Sequence, residues 1–85
     1  MDLLRIYTRN WCEDSQAAMQ YLRGRGLAFE EIDIERQPEA VRFVEKANDG
    51  KRRTPTFEVA GRTFHCSPFS AEKLNAELGL SDASQ

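Results

Sequence analysis

The hydrophobic positions along the chain change their spacing at one short polar segment. Residues 3–7 are rich in aliphatic and aromatic residues, which is typical of a short buried strand. Small and hydrophobic residues then recur at the spacing of an amphipathic helix, at Ser15, Ala18, Met19 and Leu22. We predict this helix over residues 12–23, with Gly24 or Gly26 as a left-handed cap at its C-terminal end.

A second strand and a second helix follow. Residues 29–34 put Ile32 and Ile34 on one face with acidic residues beside them, which predicts a strand with one better-buried side. Pro38 suits the first turn of a helix, because its ring fixes φ and it has no N–H group. The apolar stripe predicted for this helix is Ala40, Phe43, Val44 and Ala47. A strand, a helix and a strand in this order form a right-handed βαβ unit, so the first two strands should be parallel.

The last part of the chain predicts a hairpin and a third helix. Two short alternating runs, residues 56–59 and 62–66, surround a turn that contains glycine, which indicates a β-hairpin. Ser70 is a good N-cap for a helix that ends at Gly79, and residues 81–85 are expected to fray. The order βαβαββα predicts a single α/β domain over residues 1–85, in which three helices flank a four-stranded mixed sheet.

Composition and charge limit the classes of function. The 85 residues are 40% hydrophobic and 31% charged, which suits one domain with one core. A net charge of −2 gives no overall positive surface for nucleic acid or an anionic membrane. The chain has no signal-peptide pattern and no apolar run that could span a bilayer. We therefore expect a cytoplasmic protein, in which thiols stay mostly reduced.

Cys12 is the candidate reactive residue, because it lies where the first strand ends and the first helix begins. We place it on the first helical turn, where unpaired N–H groups and the helix dipole favour a thiolate. Such a position can lower a cysteine pKa from about 8.5 to roughly 3.5–7.5. The alternative is an inert, buried cysteine that packs as a small hydrophobic residue. Cys66 lies too far from Cys12 along the chain for a zinc or disulfide-framework pattern.

From Leu3 to about Leu80 the chain resembles the glutaredoxins, which are thioredoxin-fold oxidoreductases. The similar motifs, in chain order, are Ile6-Tyr7-Thr8, Trp11-Cys12 with Ser15, the Gly24/Gly26 helix end, Asp33-Ile34-Glu35, Asn48-Asp49-Gly50-Lys51-Arg52, Thr54-Pro55-Thr56 and Cys66-Ser67. The mycoredoxins, which also have a tryptophan before the cysteine, are an especially similar branch. The resemblance implies a thioredoxin-like fold with sheet order 2-1-3-4. It also implies thiol–disulfide exchange with glutathione or another low-molecular-weight thiol, and a glutathionylated protein as the client.

The resemblance also implies roles for individual residues. Cys12 takes the place of the nucleophile, Arg9 that of a basic residue that supports the thiolate, and Pro55 that of the family's cis-proline. The residues implied to contact glutathione are Arg9, Trp11, Lys51, Arg52, Thr54, Pro55, Cys66 and Ser67. The alternative for the basic residues is an ordinary solvated surface, and His65 is expected to be structural, so no metal site is predicted.

Ser15 is the departure from the family that has the largest mechanistic consequence. Dithiol glutaredoxins have cysteine at this position, whereas a serine hydroxyl cannot form a disulfide. We expect a monothiol route, in which Cys12 attacks the glutathione sulfur of a protein mixed disulfide and free glutathione then regenerates Cys12. A second route would use Cys66 as the resolving cysteine, which requires Cα atoms within about 7 Å. The alternative for Cys66 is a small buried residue at the end of a strand.

Glu13 and Asp14 are a second departure, because the family usually has small, aromatic or apolar residues after the cysteine. We expect these acids to raise the pKa of Cys12 by like-charge repulsion and to disfavour glutathione, so activity should be weak. Their alternative role is to complement the helix dipole. Two other functions stay open: a glutathione-assisted carrier of a [2Fe–2S] cluster, and a partner-binding domain that retains only the fold.

Overall fold

The computed structural model describes residues 3–80, so the predicted frayed tail at residues 81–85 lies outside the described range. The elements are β1 (Arg5–Thr8), α1 (Glu13–Gly24), β2 (Glu30–Asp33), α2 (Pro38–Ala47), β3 (Thr56–Val59), β4 (Arg62–His65) and α3 (Ala71–Leu78). The strand order is β2-β1-β3-β4, with β1 parallel to β2 and antiparallel to β3. This arrangement confirms the predicted fold class. None of the three helices in residues 3–80 is long and apolar enough to cross a membrane.

The two faces of the sheet carry separate hydrophobic clusters. On one face, β1 and β3 pack against α1 and α3, and the buried members are Leu4, Ile6, Ala18, Met19, Leu22, Phe57, Cys66 and Leu74. On the other face, β1 packs against α2, and the buried members are Tyr7, Ile34, Ala40 and Val44. Successive side chains of β1 enter opposite clusters, as a strand buried on both faces requires. Because β1 is enclosed in this way, the position of its C-terminal end is well defined.

The N-terminal end of α1 differs slightly from the prediction. Cys12 is the N-cap of the helix and has an extended backbone (φ −83°, ψ 114°), so it lies just outside the first turn and not on it. Its N–H donates to the carbonyl of Arg9 at 3.0 Å and closes the turn between β1 and α1. An N-cap side chain faces the unpaired N–H groups of the first turn. Cys12 therefore lies one position earlier than predicted, but its sulfur is still close to the helix N-terminus.

Gly26, and not Gly24, provides the left-handed residue at the other end of α1. Gly24 is the last helical residue, whereas Gly26 has φ +74°. The N–H of Gly26 donates to the carbonyl of Arg23, and that of Leu27 to the carbonyl of Leu22, both at 3.0 Å. These two bonds define a Schellman motif. The buried residues of α1 are Ser15, Ala18, Met19 and Leu22, the stripe that the spacing predicted.

The hairpin turn between β3 and β4 places an alanine in an unfavourable conformation. Ala60 and Gly61 both have positive φ, 52° and 77°, which is the conformation of a two-residue type I′ turn. Positive φ costs a residue with a Cβ roughly 1 kcal/mol, and asparagine tolerates this conformation best among the non-glycine residues. We expect Ala60→Asn to raise the free energy of unfolding by about 0.5–1 kcal/mol in urea titrations. The exposed Ala28→Asn serves as control, and an equal gain there would contradict the explanation.

Candidate active site

The sulfur of Cys12 lies between the helix N-terminus and the segment that leads into β3. Its thiol donates to the carbonyl of Thr54 at 3.4 Å, and the side chain is partly exposed. This contact arises from the topology, because β1 and β3 are antiparallel neighbours and the start of β3 meets the end of β1. The peptide bond between Thr54 and Pro55 is cis, and both residues are buried. Cys12 is thus reachable from solvent on one side and held by backbone on the other.

The surroundings of Cys12 lower the pKa of its thiol. Partial burial alone would raise this pKa, but hydrogen bonds outweigh it. The hydrogen bonds that lower the pKa come from the side chains of Ser15 and Thr54 and from the backbone N–H groups of Ser15 and Asp14. All of them stabilise the negative charge on sulfur. The predicted thiolate-favouring environment is therefore present, and its main source is directed hydrogen bonds.

Ser15 has an unusual position for a hydroxyl group. It is fully buried on α1, and its Oγ is the one buried side-chain oxygen or nitrogen in residues 3–80 without a regular hydrogen-bond partner. A buried hydroxyl without a partner normally costs stability. Ser15 Oγ nevertheless acts on the Cys12 sulfur, because it lowers the pKa of the thiol. The Ser15 hydroxyl therefore stabilises the negative charge that forms on the sulfur when Cys12 ionises.

Arg9 reaches Cys12 indirectly. Its Nε donates to the Oγ1 of Thr54 at 3.1 Å and its Nη2 to the carbonyl of Arg52 at 2.7 Å. The hydroxyl of Thr54, once it accepts from Arg9, keeps its own proton for the Cys12 sulfur. Arg9 therefore orients a hydrogen-bond donor to the thiolate, whereas the resemblance had suggested that its charge supports the thiolate directly.

Trp11 is an exposed aromatic residue in a fixed orientation beside Cys12. Its side chain is 61% exposed, yet the guanidinium of Arg9 lies over the indole ring at 4.5 Å. Its Nε1 donates to both carboxylate oxygens of Glu35 at 3.1 and 3.2 Å. Two side chains thus hold the ring at the surface. This agrees with a role as a docking surface for a ligand of Cys12, which stays a prediction.

The lowered pKa predicts the pH dependence of Cys12 reactivity. We expect the alkylation rate of Cys12 by iodoacetamide to rise through a midpoint below that of a free cysteine and to level off above it. At pH values above the pKa that Cys12 has in the unfolded chain, the lowered pKa also contributes its full stabilisation to the free energy of unfolding. That stabilisation is lost as the pH falls through the lower folded-state pKa. Rate profiles of native and unfolded protein provide the comparison, and coincident midpoints would contradict the geometry.

The predicted pair of basic residues, Lys51 and Arg52, is divided between two clefts. Arg52 pairs with Glu45 at 2.8 Å and shares with Arg9 a cleft of about 360 Å³. The lining of this cleft is Arg9, Ile34, Glu35, Pro38, Val41 and Arg52. Lys51 instead lines a cleft with Arg53 and His65. Lys51 and Arg52 thus line different clefts, and Arg9 and Arg52 together offer positive charge in the first of them. The contact of Lys51 with a thiol stays a prediction.

Cys66 lies in the hydrophobic core and not at the surface. It is fully buried, and its N–H donates to the carbonyl of Pro55 at 3.1 Å. Its sulfur lies 3.4 Å from the carbonyl of Ser70 and accepts from the N–H of Ser70 at 3.3 Å. Both cysteines are free thiols. These contacts correspond to the alternative interpretation of Cys66, a small buried residue just beyond a strand end.

Ser67 adjoins this core position but is partly exposed. Its N–H and Oγ both lie 3.4 Å from the Nδ1 of His65, and the Ser67–Pro68 bond is cis. The following N–H group, that of Phe69, donates to the carboxylate of Asp14 at 3.0 Å. The contacts of Ser67 itself are thus local, and its role in binding a thiol stays a prediction.

The expected increase of the Cys12 pKa by the charges of Glu13 and Asp14 is not the effect that prevails at this site. The pKa of Cys12 is lowered, and the backbone N–H of Asp14 contributes to that lowering. The carboxylate of Asp14 is bound to the N–H of Phe69 and so joins α1 to the segment before α3. Sequence reasoning missed this contact, because nothing local relates two residues so far apart in the chain.

Comparisons with known proteins show the family of the chain. A family model described as glutaredoxin matches residues 4–64. A protein of Mycobacterium tuberculosis (strain H37Rv), named "Putative glutaredoxin Rv3198A", is 35% identical over 75 residues, which are 88% of either chain. Mycoredoxin 1 of Corynebacterium glutamicum is 31% identical over 74 residues, 87% of this chain and 91% of that protein. With a matching family model, similar relatives along most of its length and a thiol at the helix N-terminus, the chain belongs to the glutaredoxin family of thiol–disulfide oxidoreductases.

Proposed function

We propose that this protein is a monothiol oxidoreductase that removes low-molecular-weight thiols from mixed disulfides through Cys12 alone. The observation that carries the proposal is the contrast between the two cysteines. Cys12 is partly exposed with a lowered pKa, whereas Cys66 is fully buried and its sulfur is bound to Ser70. Ser15 stands where a second active-site cysteine would stand, and it has no sulfur to form a disulfide.

The reaction takes two exchanges. The Cys12 thiolate attacks the sulfur of the small thiol in a client mixed disulfide, and the client leaves as a thiolate. A second molecule of the small thiol, as its thiolate, then attacks the Cys12 mixed disulfide. Cys12 is released as the thiolate and the two small-thiol sulfurs form a disulfide, so the net reaction converts the client mixed disulfide and one free thiol into a free client thiol and a small-thiol disulfide.

The chain's own groups assist both exchanges at the sulfur of Cys12. Hydroxyl groups of Ser15 and Thr54 and backbone N–H groups of α1 stabilise this sulfur as attacking group and, later, as leaving group. A thiolate with a lowered pKa is also the better leaving group in the second exchange. Arg9 and Arg52 line the adjacent cleft and offer positive charge to a carboxylate of the thiol.

The charge of Asp14 bears on which thiol is used. Asp14 already occupies the N–H of Phe69 before α3. A ligand carboxylate at that position could not accept from this N–H, and the negative charge of Asp14 would repel it. We therefore propose that glutathione is accepted less well than a thiol of similar size that has no free carboxylate at the position beside Asp14.

Asp14→Asn tests this preference, because the amide oxygen can keep the bond to Phe69 while the charge is removed. We expect kcat/KM with glutathione mixed disulfides to rise about three- to tenfold, since repulsion between charges near a protein surface is about 1 kcal/mol. The value with a carboxylate-blocked thiol should stay unchanged. Glu39→Gln, an exposed acid on α2, is the matched control. An equal effect on both thiols in Asp14→Asn would contradict the preference.

The function itself is tested by reduction of a peptide mixed disulfide with the free thiol as sole reductant. We expect saturable turnover in which the two substrates give parallel double-reciprocal plots, as two successive exchanges require. Turnover should be retained in a Cys66→Ala variant. No turnover with either glutathione or a blocked thiol would refute the proposal. Loss of turnover in Cys66→Ala would contradict the monothiol route and favour the route in which Cys66 is the resolving cysteine.

The two other functions stay predictions. The cluster-carrier hypothesis requires that two copies bring their Cys12 thiolates together, and the partner-binding hypothesis requires that Cys12 be inert. No contact in residues 3–80 favours either over the exchange reaction. The lowered pKa of Cys12 speaks against an inert thiol.

A further inference from the structure

A second cleft lies on the other side of the segment that leads into β3. It encloses about 270 Å³ between the end of α2, that segment and the end of β4. Its lining is Ala47, Asn48, Asp49, Lys51, Arg53 and His65. The disulfide chemistry described above uses none of these side chains except the predicted contact of Lys51.

The charges around this cleft are mostly positive and unpaired. Arg5, Arg52 and Arg62 each pair with a glutamate. By contrast, the side chains of Lys51 and Arg53 form no hydrogen bond or ion pair with another group in residues 3–80. Asp49 is the one acidic residue in the lining. The cleft therefore carries local positive charge in a chain whose net charge is −2.

His65 adds a donor to the same cleft. Burial first, and then the positive charges of Lys73 and Arg53, lower the pKa of His65, so its ring is neutral at pH 7. Its Nδ1 accepts weakly from the N–H of Ser67 at 3.4 Å. In a neutral ring the proton is then on Nε2, which is a donor.

The cleft and the reactive sulfur are connected by two consecutive residues of the chain. Arg53 immediately precedes Thr54, whose carbonyl accepts from the Cys12 thiol. A protein held on Cys12 as a mixed disulfide extends on both sides of its own cysteine. Acidic side chains on the side nearer to Arg53 would be attracted to the positive cleft, and basic ones would be repelled.

We propose that the cleft lined by Lys51, Arg53 and His65 is an anion-binding site that takes an acidic segment of the client protein joined to Cys12. This inference rests on the proposed exchange reaction and names its macromolecular substrate by charge. The binding itself is independent of chemistry at the sulfur, so it can be measured without turnover.

The kinetic test compares three peptide mixed disulfides whose cysteine is flanked by acidic, neutral or basic residues. We expect kcat/KM at low salt to be about tenfold higher for the acidic than for the neutral peptide, and the advantage to fall as salt rises. Lys51→Gln combined with Arg53→Gln should bring the ratio close to one, because all three peptides carry the same small thiol. Arg42→Gln, which removes an exposed charge from α2, should leave it unchanged.

A binding test separates this inference from the proposed function. The chain contains one histidine, so the ring signals of His65 report the cleft directly in nuclear magnetic resonance spectra. In the Cys12→Ser variant we expect an acidic peptide without cysteine to shift these signals, and a neutral or basic one to leave them unchanged. Equal kcat/KM for the three peptides, or His65 signals that no peptide shifts, would overturn the site. Absence of turnover with every mixed disulfide, while His65 still responds, would refute only the exchange reaction.

Discussion

Replacement of Cys12 by serine is expected to reduce the rate of disulfide exchange by at least about 1000-fold, to the rate of the free thiol in solution. The oxygen of serine cannot form the mixed disulfide on which both exchanges depend. The measurement is kcat/KM with a peptide mixed disulfide, at equal protein concentration and at a pH above the midpoint of the native thiol.

The stability of this variant is expected to change in the opposite direction. Cys12 is the N-cap of α1 and its side chain makes no capping hydrogen bond, whereas serine is a preferred N-cap. Below the pKa of the Cys12 thiol, we expect the free energy of unfolding to be unchanged or to rise by up to about 1 kcal/mol. Lost exchange in a variant of unchanged stability assigns the loss to the sulfur. Residual activity above one-tenth of the native rate would contradict this role of Cys12.

Ser15→Ala is expected to slow the reaction while it leaves the protein at least as stable. Removal of the hydroxyl removes one of the groups that lower the pKa of Cys12, so the pKa rises. A hydrogen bond to a charged group contributes about 1.5–3 kcal/mol, but a more basic thiolate is also more nucleophilic. We therefore expect a rate at mildly acidic pH that is roughly three- to tenfold lower. Thiolate absorbance as a function of pH measures the pKa shift separately.

Ser70→Ala is the matched control for this variant. The hydroxyl of Ser70 accepts from the N–H of Lys73 and caps α3, so its loss should cost about 1 kcal/mol without an effect on the pKa of Cys12. The hydroxyl of Ser15, by contrast, is buried without a regular partner, and its removal should be neutral or stabilising. If Ser15→Ala destabilised the protein and left the Cys12 pKa unchanged, the hydroxyl would have a structural role only.

The fold was predictable because each element has a local signal. The apolar stripe of α1, the proline that begins α2, and the serine and glycine that bound α3 are all visible in the sequence and are all used by the structure. The predicted ends of the elements differ from the observed ends by one or two residues. Cys12, for example, is the N-cap of α1 and not its first helical residue. Hydrogen bonds at helix termini decide such limits, and hydrophobic spacing does not reveal them.

The candidate site was predictable only in part, because contacts between distant segments have no local signal. The end of β1 and the start of β3 could be expected at one edge, and Cys12 does meet Thr54 there. The bond from Phe69 to Asp14 and the separation of Lys51 from Arg52 depend on how loops pack after folding. The contribution of the Asp14 backbone to the pKa of Cys12 could not be predicted for the same reason. The carboxylate of Asp14 has a partner elsewhere, and its backbone N–H acts on the sulfur.

Mass spectrometry of the native protein after treatment with an oxidised small-thiol disulfide tests the monothiol route most directly. We expect one thiol adduct, located on Cys12 by peptide mapping, with Cys66 unmodified and the adduct stable until free thiol is added. A loss of two hydrogens from a Cys12–Cys66 disulfide, or a Cys12 that remains unmodified under mild conditions, would contradict it.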